Sequence, residues 1–429
     1  MKRLALALLI CAAFPAARAS NLIEIYHEAQ QQDAAYAAAR AALLAGQEKL
    51  PQGLAPLLPT VTLSANINVY DVASPNLDRQ FSSQGFNLSV TQPLYRKPLV
   101  VQYEQAKKQV SVSEAQFVVA QQDLIMRVAQ AYFDTLLAQD NVTLTGAQKS
   151  AIAEQLEQAK RNFDVGTATI TDTHEAQARF DLVTSQEIAA KNDLEIKKRA
   201  LQQIIGKMPK ALATLSDKLE LKPPVPNDMA KWVEKAEQQN LQLQIQRVAQ
   251  EIANLEVGKN RAGHLPTVDL VASYGQTNNP SYLQTGNTTT QTIGMQFNLP
   301  LYQGGLVDSR VREAVANQDK ARQDVEQTRR QVALLSNQAF LGISSGVSQV
   351  KALEQALVSS QSALDSTRIG QEVGVRTGVD VLNAQQQLFS TKRDLRQARY
   401  NTLLSQIKLK LATGALAEED LKQINQWLE

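Results

Sequence analysis

Cysteine, tryptophan and histidine are nearly absent from this chain: one, two and three residues respectively in 429. The lone Cys11 falls in a segment expected to be removed. The mature chain is therefore left with no thiol for a disulfide, a thiolate metal site or a cysteine nucleophile. His27, His174 and His264 have no metal-ligand spacing. Neither a nucleophile elbow nor a phosphate-binding loop occurs. Nothing in the residues supports an enzyme, and none of them requires a cofactor. Charge of one sign is missing too. The chain carries 44 Lys and Arg against 42 Asp and Glu, and the expected leader takes Lys2, Arg3 and Arg18 with it. The near-neutral remainder has no electrostatic footprint for nucleic acid. Long apolar runs are absent from the mature part, and mean hydropathy is −0.26.

What is present begins with that leader. Lys2-Arg3 make a basic start, residues 4–13 an apolar core, and Ala17-Arg18-Ala19 a small-residue cleavage site. This is the pattern of a secretory signal over residues 1–19, with the mature chain from Ser20. The apolar run is far short of the roughly 20 residues that a membrane anchor needs. Ile10, where a small residue is expected, argues against lipidation of Cys11. An exported chain without a membrane-length helix is either soluble outside the cytoplasm or enters a membrane as strands.

The sequence also repeats. Leu58-Pro59-Thr60-Val61 returns as Leu265-Pro266-Thr267-Val268, and Pro93-Leu94-Tyr95 as Pro300-Leu301-Tyr302, each 207 residues on. Val165-Gly166 returns as Val373-Gly374 and Gly206 as Gly414, now 208 residues on, as one insertion gives. The period is too long for a solenoid unit and indicates two domain-sized modules in tandem. Five segments follow: the signal 1–19, a first repeat 20–206, a linker 207–226, a second repeat 227–414 and a tail 415–429.

Within each repeat the periodicity changes twice. Residues 22–50 read as a helix that Pro51 ends. From Thr60 the period falls to two, with Val61, Leu63, Ala65, Ile67 and Val69 alternating against Thr62, Ser64, Asn66, Asn68 and Tyr70. Phe86, Leu88 and Val90 continue the pattern across a polar loop at Ser74-Pro75-Asn76. The second repeat matches with Val268, Leu270, Ala272 and Tyr274, then Ile293, Met295, Phe297 and Leu299. Four strands of about ten residues, each with one apolar and one polar face, are expected. Helix fills the rest. Residues 99–163 lack proline, and at 1.5 Å per residue would span roughly 90–100 Å. The turn Val165-Gly166-Thr167 reverses the chain into a helix ending near Gly206, and Val373-Gly374-Val375 does the same before a helix to about Ala412. Residues 231–260 form a helix, and residues 418–428 a short one. Seven-residue apolar steps at Val381, Leu388 and Leu395, and at Ala176, Val183 and Ala190, imply left-handed coiled packing with thin seams.

Strands with one apolar face are stable in lipid only as a closed barrel, and four are too few to close one. Three chains would pool twelve strands and enclose a polar lumen. At this point the residues match a known pattern. The carriers are the repeat, the junctions Gln92-Pro93-Leu94-Tyr95 and Leu299-Pro300-Leu301-Tyr302-Gln303-Gly304-Gly305, and two helix–turn–helix signatures at residues 163–172 and 373–384. The chain resembles the TolC family of bacterial outer-membrane efflux and secretion channels along nearly all of its mature length. The resemblance implies a mixed α and transmembrane β fold. Its homotrimer holds a 12-stranded β-barrel, four strands per chain, continuous with a 12-helix α-barrel crossing the periplasm, and linker and tail form an equatorial region. It implies a passive exit duct of a tripartite efflux pump or type I protein secretion system. The duct sits in outer-membrane lipid and is opened by a periplasmic adaptor coupled to an ABC or proton-driven inner-membrane pump.

The resemblance also assigns residues. The turns Val165, Gly166, Thr167 and Val373, Gly374, Val375 stand at the periplasmic tip that meets the adaptor. Asp172 and Arg376 occupy the positions of an aspartate and an arginine that latch neighbouring coiled coils; Gln371 stands where a member of the family has a tyrosine bonded to the same aspartate. Asp380 and Asn383 match two aspartates at the narrowest point of the pore. Their i, i+3 spacing puts both on one helix face. Three carboxylates and three amides would give a weaker cation preference than two carboxylate rings. Two other functions stay open: a structural periplasmic coiled-coil tether, and a stand-alone diffusion porin.

Overall fold

The computed structural model describes residues 19–74, 77–216, 219–281 and 283–429. The expected leader, apart from Ala19, and the loop centre at 75–76 lie outside them. Three helices open the chain: α1 Leu22–Gln32, α2 Ala34–Gln47 and α3 Lys49–Leu54. The single helix expected over 22–50 is thus broken. Asp33 sits between α1 and α2, its side chain accepting from the Tyr36 amide at 2.7 Å in the manner of an N-cap. Nor does Pro51 end the helical stretch. It is the third residue of α3, and within a first turn the missing proline N–H has no intrahelical acceptor to lose.

Strands β1 Thr60–Ser74 and β2 Leu77–Tyr95 follow, then α4 Lys97–Asp164 and α5 Ile170–Ile205. The second repeat supplies α6 Met229–Gln239, α7 Leu241–Arg261, β3 Thr267–Asn278, β4 Asn287–Asn298, α8 Leu306–Glu372 and α9 Gly378–Ala412. A last helix, α10, covers Glu418–Asn425. The break between α6 and α7 falls at Asn240, 207 residues after Asp33, and its side-chain amide donates to the Ala412 carbonyl at 2.9 Å. The repeat therefore extends to a pair of helix breaks, each held by a polar side chain. Among the described residues no helix is long and apolar enough to cross a membrane.

The chain forms two compact units that interleave along the sequence. One gathers the residues up to Ala38 with Ala120–Asn240 and Val332–Glu429; the other gathers Ala39–Val119 and Leu241–Gln331. The first is built on the long helices and holds most of the core. Tyr132 and Phe133 on α4 are fully buried and meet edge to face, with Tyr400 of α9 beyond. The Tyr132 hydroxyl donates to the Ala213 carbonyl at 2.8 Å, tying the linker to α4. The linker also pairs with the tail, where Thr214 and Glu429 exchange backbone bonds of 2.9 Å in both directions. Val381, Leu388 and Leu395 are buried at the expected seven-residue steps, as are Ala176 and Val183, while Ala190 is only half-buried. The seams admit polar groups: Gln385 and Ser336 are buried with side-chain atoms that bond nothing among the described residues.

The second unit carries the sheet, with order β1-β2-β3-β4 and every pairing antiparallel. The strands are 15, 19, 12 and 12 residues long, more than the expected ten. The first hairpin continues to Ser74 and Leu77, whereas β2 pairs with β3 only from Gln84 downward. Register aligns the two faces across all four strands. One row holds Val61, Val90, Ala272 and Ile293, and the adjoining row Thr62, Ser89, Ser273 and Thr292. Since successive residues point to opposite faces, one face carries an apolar band, which gives way to Gln276, Asn278, Gln291 and Thr289 toward the β3–β4 loop, and the other is hydroxyl-lined at this level. Edge strands β1 and β4 are bare along their outer sides, and their apolar residues are the most exposed: Ile67 at 76% and Ile293 at 79%. At the foot of β3, buried Asp269 accepts from the Arg96 guanidinium, whose Nε lies 2.8 Å away.

Candidate functional site

The turns that join α4 to α5 and α8 to α9 are built alike. Gly166 and Gly374 take left-handed backbone, at φ +77° and +80°, a region open to glycine at no steric cost. Each glycine N–H closes the end of its helix: Gly166 donates to Phe163 at 2.9 Å, and Gly374 to Gln371 at 3.1 Å. Thr167 and Val375 add bonds back to Asn162 and Gly370. Helix-terminal carbonyls are thereby satisfied within a few residues. The valines between them gain nothing from the chain: Val165, Val373 and Val375 are about 70% exposed or more. An apolar tip of this kind on two adjacent turns is suited to contact with another protein.

The helices that leave these turns also start alike. Thr169 caps α5 and Thr377 caps α9, each in a reciprocal box with the aspartate three residues on. The Asp172 Oδ2 accepts from the Thr169 amide at 3.0 Å and its hydroxyl at 2.9 Å. Asp380 does the same with Thr377, at 2.9 and 3.0 Å. The Thr377 amide and hydroxyl hold the Asp380 carboxyl below the usual carboxylate range, and nearby Arg376 adds to the effect. Asp380 is therefore charged at any physiological pH.

Asp172 and Arg376 do not meet within the chain. Arg376 lies beside Gly370 and Asp380 instead, and Gln371 makes no side-chain bond to Asp172 among the described residues. Both bonds from Thr169 use Oδ2 of Asp172, and its second oxygen, Oδ1, has no partner among the described residues.

Asn383 brings in a residue that the sequence did not single out. Arg179 of α5 reaches across to α9, donating from Nη2 to Asn383 Oδ1 at 3.1 Å and from Nη1 to Gln386 Oε1. Its Nε pairs with Glu175 one turn earlier, at 3.1 Å. The two coiled coils share apolar packing just there, where Leu382 joins Ile152, Leu156, Ala176 and Val183. Arg179 and Arg393 flank a cavity of about 170 Å³ between α4, α5 and α9, whose lining mixes polar side chains such as Gln148, Gln186 and Ser390 with apolar ones such as Ile152, Val183 and Leu382. Among the described residues no group of His, Cys, Asp and Glu side chains converges on a metal-sized site.

The sequence profile of a family described as "Outer membrane efflux protein" matches residues 25–207 and 232–415, one copy per repeat. The chain is 36% identical over 416 residues to the outer membrane protein TolC of Vibrio cholerae, covering 96% of this chain and 94% of that one. It is 33% identical over 423 residues to the alkaline protease secretion protein AprF of Pseudomonas aeruginosa, covering 95% and 87%. Its fold is similar to that of the outer membrane protein VceC of Vibrio cholerae, with a TM-score of 0.79 over 92% of this chain and 96% of that one, at 19% identity.

Proposed function

Because this chain belongs to the outer membrane efflux protein family, we propose that three copies of it assemble into one duct through the outer membrane and periplasm. The protein is an outer-membrane exit channel for efflux and type I secretion. The single observation behind the trimer is the sheet: four strands, two bare edges, and an exposed apolar band on one face, from Val61 to Val69 on β1 and from Ile293 to Phe297 on β4. Backbone groups at a bare edge have no partner in hydrocarbon, so the sheet must close through its neighbours. Edge β4 of one copy pairs with edge β1 of the next, three times over. The apolar rows then face lipid, and the row of Thr62, Ser89, Ser273 and Thr292 faces water.

The tip at Val165–Thr167 and Val373–Val375 docks a periplasmic adaptor, which couples the duct to an ABC or proton-driven pump in the inner membrane. The duct itself supplies no energy. In the resting trimer the free oxygen of Asp172 pairs with Arg376 of a neighbouring copy, and Gln371 supports the contact. Each such exposed pair is worth at most about 1 kcal/mol, so three of them form a latch that a docking partner can break. The lumen narrows at Asp380 and Asn383. Membrane fractionation with heat-modifiable gel migration tests the assembly, and planar-bilayer conductance of Arg376→Ser tests the latch. The reading expects an outer-membrane trimer whose conductance rises in the variant. A soluble periplasmic monomer overturns it.

A further inference from the structure

We propose that Arg179 sets the charge of the second level of the constriction, so that this level favours anions while the Asp380 level favours cations. The inference rests on the duct reading, because it needs three copies of the site around one axis. A guanidinium has donors only. The atoms that Asn383 and Gln386 turn toward it must therefore be their carbonyl oxygens, as the contacts from Nη2 and Nη1 have it. With both oxygens committed, the amide groups present their N–H donors to the opening. Neither Asn383 Nδ2 nor Gln386 Nε2 has a partner among the described residues. The level is thus lined by outward-pointing donors backed by a cation, the arrangement that solvates an anion.

One neighbouring charge offsets this in part. Glu175 pairs with Arg179 at Nε, 3.1 Å away, and offsets part of its charge, while Nη1 and Nη2 stay committed to the two α9 amides. Asp380, one turn before Asn383, keeps its charge and is faced by Arg376. The two levels are therefore opposite in sign and one helical turn apart, about 5 Å along the axis. Such a stack has little net preference between small cations and anions, and discriminates instead by how a cargo distributes its own charge. A double carboxylate ring repels acidic cargo; this constriction accepts it.

The test is the potassium-to-chloride permeability ratio of the purified full-length trimer, read from reversal potentials across planar bilayers in a KCl gradient. Arg179→Gln removes the backing charge, and the ratio is expected to rise roughly threefold, as three charges within a Debye length of the axis require. Arg179→Lys keeps the charge and is expected to leave the ratio near that of the unaltered chain. The mature chain being cysteine-free, Arg179→Cys can be labelled with a cationic or an anionic methanethiosulfonate. The cationic label is expected to restore the original ratio and the anionic one to raise it further. An unchanged ratio in Arg179→Gln, or labels of opposite charge acting alike, overturns the assignment of Arg179 and leaves the duct intact. Failure of the unaltered chain to form a conducting trimer overturns the duct reading and this inference together.

Discussion

Ile293 and Thr292 are neighbours on β4 that face opposite ways, and they test the assignment of the sheet faces at a single point. Ile293 is the seventh of the 12 residues of β4 and the first of the apolar run Ile293, Met295 and Phe297 on its face, so it stands toward one border of the lipid-facing band. It shares its row with Ala272, Val90 and Val61, while Thr292 shares the adjoining row with Ser273, Ser89 and Thr62. Arginine on the lipid face costs about 2–4 kcal/mol per copy at the midplane and about 0–1 near the interface, so about 1–3 at this depth. At about 1.4 kcal/mol per tenfold, Ile293→Arg should disfavour insertion by roughly 5- to 140-fold per chain. Thr292→Arg places the same charge in water one residue away, and its expected cost is close to zero. Outer-membrane yield of heat-modifiable trimer, with bilayer conductance as a second readout, separates the two. The reasoning fails if Ile293→Arg assembles as well as the unaltered chain, or if Thr292→Arg is the variant that is lost.

Other perturbations act on the helical unit. Asp33 is almost wholly buried and held by the Arg127 guanidinium at 2.8 and 3.0 Å. Arg127→Leu is expected to lower unfolding stability by about 2 kcal/mol, less than a fully buried pair because Arg127 is a third exposed. The hydrogen bond from Arg127, with help from the Tyr36 amide, pulls the Asp33 carboxyl below its ordinary value. Its contribution to stability is therefore complete above the unfolded carboxylate pKa near 4 and lost as pH falls through the lower folded value. Thermal melts from pH 6 to pH 2 should show this loss in the unaltered chain and a shallower one in Asp33→Asn. Gly414→Ala should lower the melting temperature more than Gly166→Ala. Both glycines have positive φ, but a Cβ at Gly414 would come within 2.5 Å of the Gln239 carbonyl, while Gly166 faces open space. Tyr400→Phe strips the 2.8 Å bond to Asp140 and should cost about 1–2 kcal/mol in the same assay.

Parts of this molecule were written plainly in its sequence. Alternation from Val61 to Val69 marks β1, because apolar and polar residues divide strictly between its two faces and nothing else interrupts the pattern. The glycines at 166 and 374 mark the turns, because no other residue takes that backbone freely. Other parts depend on partners far away in the chain. The breaks at Asp33 and Asn240 interrupt no helical period; Asp33 caps α2 locally but is held in place by Arg127, and Asn240 by the Ala412 carbonyl, partners far away in the chain. The upper part of the first hairpin, from Tyr70 through Phe81, was lost in polar composition, though those two rings stack at 5.1 Å across the strands. The capping boxes had a readable signal, Thr-x-x-Asp at 169–172 and 377–380. Arg179 had none, since its acceptors on α9 lie about 200 residues on.

The bare borders of β1 and β4 have a genetic consequence. A ring closed by three copies contains three joints, and a chain with one spoiled border breaks every ring that recruits it. In a cell making sound and spoiled chains in equal amounts, only about one ring in eight is free of the defect. A proline placed mid-way along β4 should therefore act as a dominant poison rather than a recessive loss.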